Sequence, residues 1–540
     1  MTEIDKIFGI PGAGKTERLL TKIEKYMSEG TFLNDICYVT FSKAAAKDAI
    51  KRIKNKFDIE DNPLYFGTIH SICKQMLGWD FRGKDGMKLE NSENRHDFLK
   101  KFGLNYPLIS NSDEPENAFT ENTSVSNDEL KIFQIISYCH HRFIPLENWR
   151  ESGLEFKDIS PDDVTHIVKQ WDDYKVEHDL VSFDDMLTKT LEEELYPATR
   201  ILFVDEFQDL SPLLYKIIQT WIPYMKKVVV AGDDDQCIYV FLGASPNFLL
   251  DLKAKETILD YSYRVPDPIL KKAKKLIGTV NNRQQKEFKE NQRPGNFYYL
   301  SSPIFKDLLP HLPRTEKTVF FLFRTNNFAK MFVENYLIPR GIPFSEIRPK
   351  NTVFHVWTYR LYEIRNAMLK IRKNEKLERA EVKRLLQIFP SCSKGKLDGV
   401  VRYGKKTWFK KKCQQTNFSV QDISNMFFTR IPLWDDRIVL SEIKNDAQKK
   451  AYLRNMENSY STYSPYKIKV GTIHSSKGLE ANTVFLFNNH SKITEDEILD
   501  KGNDVVDAEK RLYYVGMTRA METLVIVDDF FDNYSFRLEI

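Results

Sequence analysis

The sequence predicts an α/β chain of two parallel-sheet cores, each interrupted by a mainly helical insertion. Three observations carry that expectation. A glycine-rich loop, GIPGAGKT at 9–16, stands between a short apolar run and a helix-forming stretch. Two later apolar runs, RILFVDEFQD at 200–209 and KKVVVAGDDDQ at 226–236, each end in acids. Buried strands followed directly by polar groups put those groups at the carboxyl edge of a parallel sheet, where open α/β folds bind ligands. Strand signals then restart after residue 258, at 318–326, 467–487 and 511–527, with long polar stretches between them.

In chain order, Ile4, Ile7 and Phe8 supply a short buried strand, and Leu19, Leu20, Ile23 and Met27 repeat at helical spacing after the glycine loop. The loop fits G-x-x-x-x-G-K-[ST] in the strand–loop–helix context that gives this pattern meaning. Backbone N–H groups of Gly9, Ile10, Pro11, Gly12, Ala13 and Gly14, proline excepted, would close around phosphate oxygens at a helix N-terminus whose dipole favours anions. Lys15 would reach the β/γ-phosphates, and the Thr16 hydroxyl would ligate Mg²⁺. DICYVTF at 35–41 is a second buried strand, SKAAAKDAIKRI a helix, and a third apolar segment ends in GTIHSIC at 67–73. Residues 1–78 and 180–257 therefore form the first core. The stretch 79–179 forms its insertion, with helical pieces at 129–139 and 163–178 around a polar, Asn- and Ser-rich loop at 105–128. The second core takes 258–344 and 463–540. Its insertion, 345–462, is polar and rich in Lys and Arg.

The chain of 540 residues is long enough for three or four domain-sized units, and 42% hydrophobic residues let each bury a core. With 80 Lys+Arg against 76 Asp+Glu the net charge is only +4, so any nucleic-acid groove must be local. The lysine runs KKAKK at 271–275 and KKTWFKKK at 405–412 are candidates for such a groove, and equally for solvated faces. Six cysteines without C-x-x-C spacing argue against zinc or an iron–sulfur cluster and for a reducing compartment. No apolar run approaches a membrane span, so a soluble cytoplasmic protein is expected.

At the strand ends, Asp205 is placed to hold Mg²⁺ and Glu206 to polarise an attacking water. On its own, such an acid pair reads as a helix cap or solvated turn; beside the glycine loop it reads as chemistry. Arg264 in YSYRVP and Arg519 in VGMTRA come from the second core. They can meet a γ-phosphate only across a cleft, where an arginine is worth about 10³–10⁵ in rate. Either arginine taken alone reads as a surface ion pair.

The ordered set GIPGAGKT, VTFSKAAA, GTIHSIC, VDEFQD, GDDDQCIYVFLGA, YSYRVP, VGTIHSSKGLE and RLYYVGMTRA resembles the motif series of superfamily 1 DNA helicases of the UvrD/Rep/PcrA type. The resemblance implies RecA-like P-loop cores, ATP and Mg²⁺, and an ATP-dependent translocase on single-stranded DNA that unwinds duplex 3′→5′. It implies Lys15, Thr16, Asp205, Glu206, Gln236, Arg264 and Arg519 as ATPase residues, with Gln236 sensing the γ-phosphate. Tyr263 would stack on adenine and Glu480 would lie near the ribose. For DNA it implies Phe41, Tyr239 and Phe241 as an aromatic pocket, with ordinary core packing the alternative for each, and Thr68, His70, Thr472 and His474 as backbone-contacting or coupling positions, the two histidines being equally readable as structural. Expected partners are single-stranded DNA, single/double-strand junctions and a replication or repair protein, with the chain monomeric or weakly oligomeric. Alternatives within the resemblance are the motor subunit of a recombination helicase–nuclease complex and a non-unwinding, ATP-switched DNA-binding factor. Three departures stand out. No Gln lies among the eight residues before Gly9, which leaves selectivity for ATP over GTP open; Phe241 stands where Trp is usual; and Leu242 stands where Arg is usual, a loss that weakens either the grip on DNA or the coupling of hydrolysis to movement.

Overall fold

The computed structural model describes residues 2–41, 43–57, 59–60, 62–79, 88–104, 128–154, 156, 159–314, 317–347, 366–388, 400–403, 406–409, 416–426, 449–450, 453–454, 467–490, 498, 502–528 and 530–531. Two six-stranded sheets organise it. The first contains β1 (Glu3–Gly9), β2 (Ile36–Thr40), β3 (Phe66–Thr68), β4 (Ile201–Val204), β5 (Lys227–Gly232) and β6 (Lys255–Leu259), in the order β3-β2-β4-β5-β1-β6. The second contains β7 (Asn296–Ser301), β8 (Val319–Phe323), β9 (Ser345–Glu346), β10 (Ile468–Thr472), β11 (Ala481–Phe487) and β12 (Ala520–Asp528), in the order β9-β10-β8-β11-β12-β7. Every ladder in both sheets is parallel.

Parallel sheets must be covered on both faces, and the period-two alternation of strand side chains feeds two cores. In the first sheet Ile7, Tyr38, Phe203 and Val229 enter one cluster, while their neighbours Phe8, Val39, Val204 and Val230 enter the other. In the second, Phe321, Phe323, Phe485 and Phe487 fill one face. The opposite face, with Phe320, Leu322, Val484 and Leu486, belongs to a cluster that also takes in Ile10, Ala13, Cys237, Tyr239 and Leu242 of the first core. The two cores thus share one apolar interface.

Three sheet strands, β6, β7 and β9, lack a clear signal in the sequence. All three are edge strands. KETIL and NFYYLS are largely exposed; Lys255 and Glu256 blunt the edge of the first sheet, while β7 is an exposed run of Phe and Tyr that favours strand without being a buried apolar run. β6 carries the first sheet to Leu259, and β9 takes Ser345 and Glu346 into the second.

The first insertion has its own core, in which Phe98, Phe133, Trp149, Trp171 and Tyr174 pack between Ser92–Lys100, Asp128–Arg142 and Pro161–Glu177. The acidic loop expected at 105–128 lies, except for Asp128, outside the described residues. In the second insertion, alongside the helix Arg379–Ile388, two antiparallel strand pairs occur: Leu377–Glu378 with Asn417–Phe418, and Val400–Tyr403 with Lys406–Phe409. The β-branched and aromatic residues of VVRY and KTWF favour strand over helix there. The rest of the 405–412 lysine run lies outside the described residues. Among the described residues, no helix is long and apolar enough to cross a membrane.

Candidate active site

The loop after β1 turns into the helix Lys15–Ser28 through Gly12 (φ 75°) and Gly14 (φ 79°), the left-handed region where a Cβ is strained. A Cβ on Gly12 would also fall 2.6 Å from that of Arg264. The close approach arises because the segment after β6 lies against the loop. The Ser262 hydroxyl donates to the Pro11 carbonyl at 2.7 Å, and the Tyr263 amide donates to the Gly12 carbonyl at 2.9 Å. Lys15, buried, donates to the Gly9 carbonyl at 2.9 Å. Ile10 and Ala13 point into the inter-core cluster.

Asp205 follows β4 directly. It accepts from the Thr16 hydroxyl at 2.7 Å and from the Tyr38 hydroxyl at 2.9 Å. Burial and the neighbouring Glu206 push its carboxyl up to about 6. Glu206 has φ 55°, a left-handed backbone on a non-glycine residue, which is strain held by its surroundings. Burial would raise its carboxyl, but Lys477 and Lys15 outweigh burial and hold it below the ordinary value. Gln208 Nε2 donates to Glu206 Oε2 at 2.6 Å. Two oxygen donors, Thr16 and Asp205, beside the half-buried Glu206 suit a hard cation such as Mg²⁺.

Gln236, after β5, donates through Nε2 to Asp233 at 2.6 Å, and its Oε1 accepts from Arg519 at 3.2 Å. Arg519 is 2% exposed and starts from the far core, its Nε on the Val515 carbonyl at 2.9 Å. Burial and the nearby Arg264 lower its guanidinium to about 10. Arg264 and Glu480 form an ion pair with each other, both partly exposed, and Tyr263 is 68% exposed.

Of the aromatic candidates, Phe41, Tyr239, Phe241 and His474 form one cluster across the two cores. Their centroids lie 4.9 Å apart for Phe41–Tyr239 and 5.4 Å for Phe241–His474. Tyr239 is buried, as core packing requires, and Phe41 and Phe241 are half-buried. Leu242 is 4% exposed within the inter-core apolar cluster, so at this position the chain packs an aliphatic side chain where a cation was the usual residue. An arginine stands nearby on the first insertion: Arg142 donates to the Val240 carbonyl at 2.6 Å.

Thr68 and Thr472 occupy equivalent places, at the ends of β3 and β10. In each, the threonine Oγ1 accepts from a serine amide three residues on at 3.2 Å, and the serine hydroxyl donates back to the threonine carbonyl at 2.7 Å. GTIHS occurs at both places, a repeat that could have been read in the sequence. His70 packs edge-on to Phe183 and faces Asp184, both on the helix Phe183–Glu192 of the first core. In the 271–275 run, Lys271 pairs with Glu290, Lys272 lies over Phe297 and Tyr299, and Lys274 lies over Phe288.

Lys477 went unread in the sequence although it lies within VGTIHSSKGLE. From the second core it donates to Asp209 Oδ1 at 2.6 Å and to the Gln236 carbonyl at 2.7 Å. Tyr38 was also missed, since no local pattern marks a residue whose partner lies 167 positions away, and so was Gln208, although it stands inside VDEFQD two residues from Glu206.

Residues 5–257 match the family described as UvrD/REP helicase N-terminal domain, and residues 345–528 match UvrD-like helicase C-terminal domain. The chain is similar to the Bacillus subtilis (strain 168) protein YjcD, at 23% identity over 603 residues, spanning 95% of this chain and 75% of that one. It is similar to the ATP-dependent DNA helicase Rep of Buchnera aphidicola subsp. Acyrthosiphon pisum, at 22% identity over 609 residues, 95% of this chain and 90% of that one. A further relative is the ATP-dependent DNA helicase PcrA of Staphylococcus epidermidis, 23% identical over 362 residues, or 62% and 48% of the two chains.

Proposed function

The chain belongs to the UvrD/REP helicase family, and we propose that it is an ATP-dependent DNA helicase that moves 3′→5′ along single-stranded DNA and separates duplex ahead of it. The observation that carries the mechanism is that second-core cations, Lys477 and Arg519, end on first-core groups flanking the hydrolytic acid.

On binding ATP, Lys15 exchanges the Gly9 carbonyl for the β/γ-phosphates while the loop amides close around them. Thr16 and Asp205 would hold Mg²⁺, which when bound supplies positive charge against the phosphates. Glu206, kept ionised by Lys477 and Lys15, orients water and takes its proton. Gln236 reports the γ-phosphate to Arg519, and Arg264 leaves Glu480 to face the same charge. Tyr263, already exposed, offers its ring to the base. Closing and reopening of the cores then works on the cluster of Phe41, Tyr239, Phe241 and His474, through which bases stack at about 1–3 kcal/mol each without sequence preference.

The test is ATP hydrolysis with and without poly-dT, alongside displacement of duplexes with a 3′ or a 5′ single-stranded tail. Stimulated hydrolysis with displacement only from the 3′-tailed duplex is expected. Displacement only from the 5′-tailed duplex overturns the polarity, and hydrolysis indifferent to DNA overturns the motor.

A further inference from the structure

Asp233 is the node between the two acid-bearing loops of the first sheet. Its amide donates to Gln208 Oε1 at 2.9 Å, and the same Gln208 donates to Glu206 at 2.6 Å. Its carboxylate accepts from Gln236 Nε2 at 2.6 Å. One contact therefore orients the amide that faces Arg519, and another reaches the hydrolytic acid.

What holds Asp233 comes from a different part of the chain. Lys286 Nζ lies 2.7 Å from Asp233, 2.5 Å from Asp234 and 2.9 Å from Asp235, in a site where all four side chains are 0% exposed. Arg283 takes both oxygens of Asp235, at 2.8 and 2.6 Å, and the Gln284 amide donates to Asp234 at 2.8 Å. Three buried carboxylates would be untenable alone; two cations nearly balance them. The carboxylates are close enough together to hold a metal ion, and the lysine ammonium takes that place. Burial disfavours the charged lysine, but the three aspartates outweigh burial and hold its pKa above the ordinary value.

The segment carrying Lys286 is itself tied to the second core. The Asn281 amide donates to Asp507 at 3.3 Å, and Arg511 donates to the Asn282 carbonyl at 2.6 Å. Both anchors lie on the helix Asn503–Met517, which ends two residues before Arg519. The two clamps on Gln236, Asp233 from one side and Arg519 from the other, therefore share one root.

We propose that Lys286 is a positioning residue for ATP hydrolysis: by fixing Asp233 it sets Gln236 and, through Gln208, Glu206, in register with the helix that carries Arg519. The inference rests on the helicase reading above. It concerns a residue that touches neither nucleotide nor DNA, so its effect falls on turnover and not on binding.

The experiment compares Lys286→Met and Arg283→Gln with the wild-type full chain. It measures DNA-stimulated kcat, KM for ATP, the Kd for poly-dT and Tm. Misplacing a reacting group by about 1 Å costs up to about a hundredfold in rate. Lys286→Met is expected to lose about that much kcat, with KM and Kd within about threefold of wild type. Arg283→Gln, which releases Asp235 but not Asp233, is expected to lower Tm while keeping most of its kcat. Wild-type kcat in Lys286→Met overturns the proposal, as does a kcat loss in both variants that simply follows Tm. Should Lys286→Met not fold, Asp233→Asn keeps the shape of the node, and an undiminished kcat there overturns the proposal equally. Failure of the wild-type chain to respond to DNA would instead count against the helicase reading.

Discussion

Lys477 Nζ lies 2.6 Å from Asp209 Oδ1, and both side chains are less than 10% exposed although they belong to different cores. The same ammonium lies 5.3 Å from the centre of the Tyr239 ring and reaches the Gln236 carbonyl. One cation therefore touches the acid loop, the glutamine loop and the aromatic cluster, the three parts that must act together if hydrolysis is to move DNA.

Lys477→Met removes the buried cation that faces Asp209, and breaking such a buried pair typically costs about 3–5 kcal/mol. The cost falls on the closed arrangement of the cores, so DNA-stimulated hydrolysis should drop by about a hundredfold. The Kd for ATP in the absence of DNA should change little. Steady-state hydrolysis and equilibrium nucleotide binding check both halves.

Glu206→Gln removes the charge proposed to orient water but keeps an oxygen for Gln208. Hydrolysis should fall by at least about a hundredfold, while ATP and poly-dT still bind. Near-normal turnover would sink the role given to Glu206.

Arg519→Lys keeps the positive charge and loses the planar fork that lets one side chain hold Val515, Thr518 and Gln236 together. Turnover should fall by about 10³, nearly as far as in Arg519→Ala, with KM for ATP within a few-fold. Substantial activity in the lysine variant, read in the same hydrolysis assay, would show that charge alone suffices.

Leu242→Arg restores the side chain usual at that position and tests whether its absence weakens DNA binding. Leu242 is buried among apolar neighbours, so the new guanidinium has to displace that packing or stay buried without a carboxylate. The expected outcome is a lower Tm with no gain in poly-dT affinity, measured by thermal unfolding and fluorescence anisotropy.

Glu509 is buried, and burial alone would raise its carboxyl. Arg324, at 2.8 Å, and His490, at 3.2 Å, outweigh burial and take it from the ordinary 4.5 down to about 2. A depressed carboxyl stabilises the fold above its unfolded value, and that contribution is lost as pH falls from about 4.5 through about 2. It amounts to about 3 kcal/mol at neutral pH. Glu509→Gln should therefore lower Tm at pH 7 and flatten the fall of Tm across that acid window. An unchanged acid profile would count against the ion pair.

Legibility differed sharply between kinds of residue. The glycine loop, the acids after β4 and β5, and the central strands stood out because each is local: a buried parallel strand must be an apolar run, and polar groups after it must lie at one sheet edge. The edge strands did not stand out for different reasons: β6 is polar because solvent lets it be, β9 is only two buried residues long, and β7, though rich in Phe and Tyr, is largely exposed and no apolar run. The two GTIHS segments were legible as text, but their identical threonine–serine turns became evident only from the hydrogen bonds.

By itself the sequence determined the family, the nucleotide loop and the two-core plan, since each is written in contiguous residues whose chemistry needs that spacing. Only the tertiary structure decided that Leu242 and Tyr239 are packed away, that Arg264 pairs with Glu480, and that Lys477 and Lys286 hold the loops on which Glu206 and Gln236 stand. The reason is physical. A buried charge is tolerated only where another part of the chain brings its counter-charge, and that counter-charge is chosen by packing across the cleft, not by any neighbour in sequence.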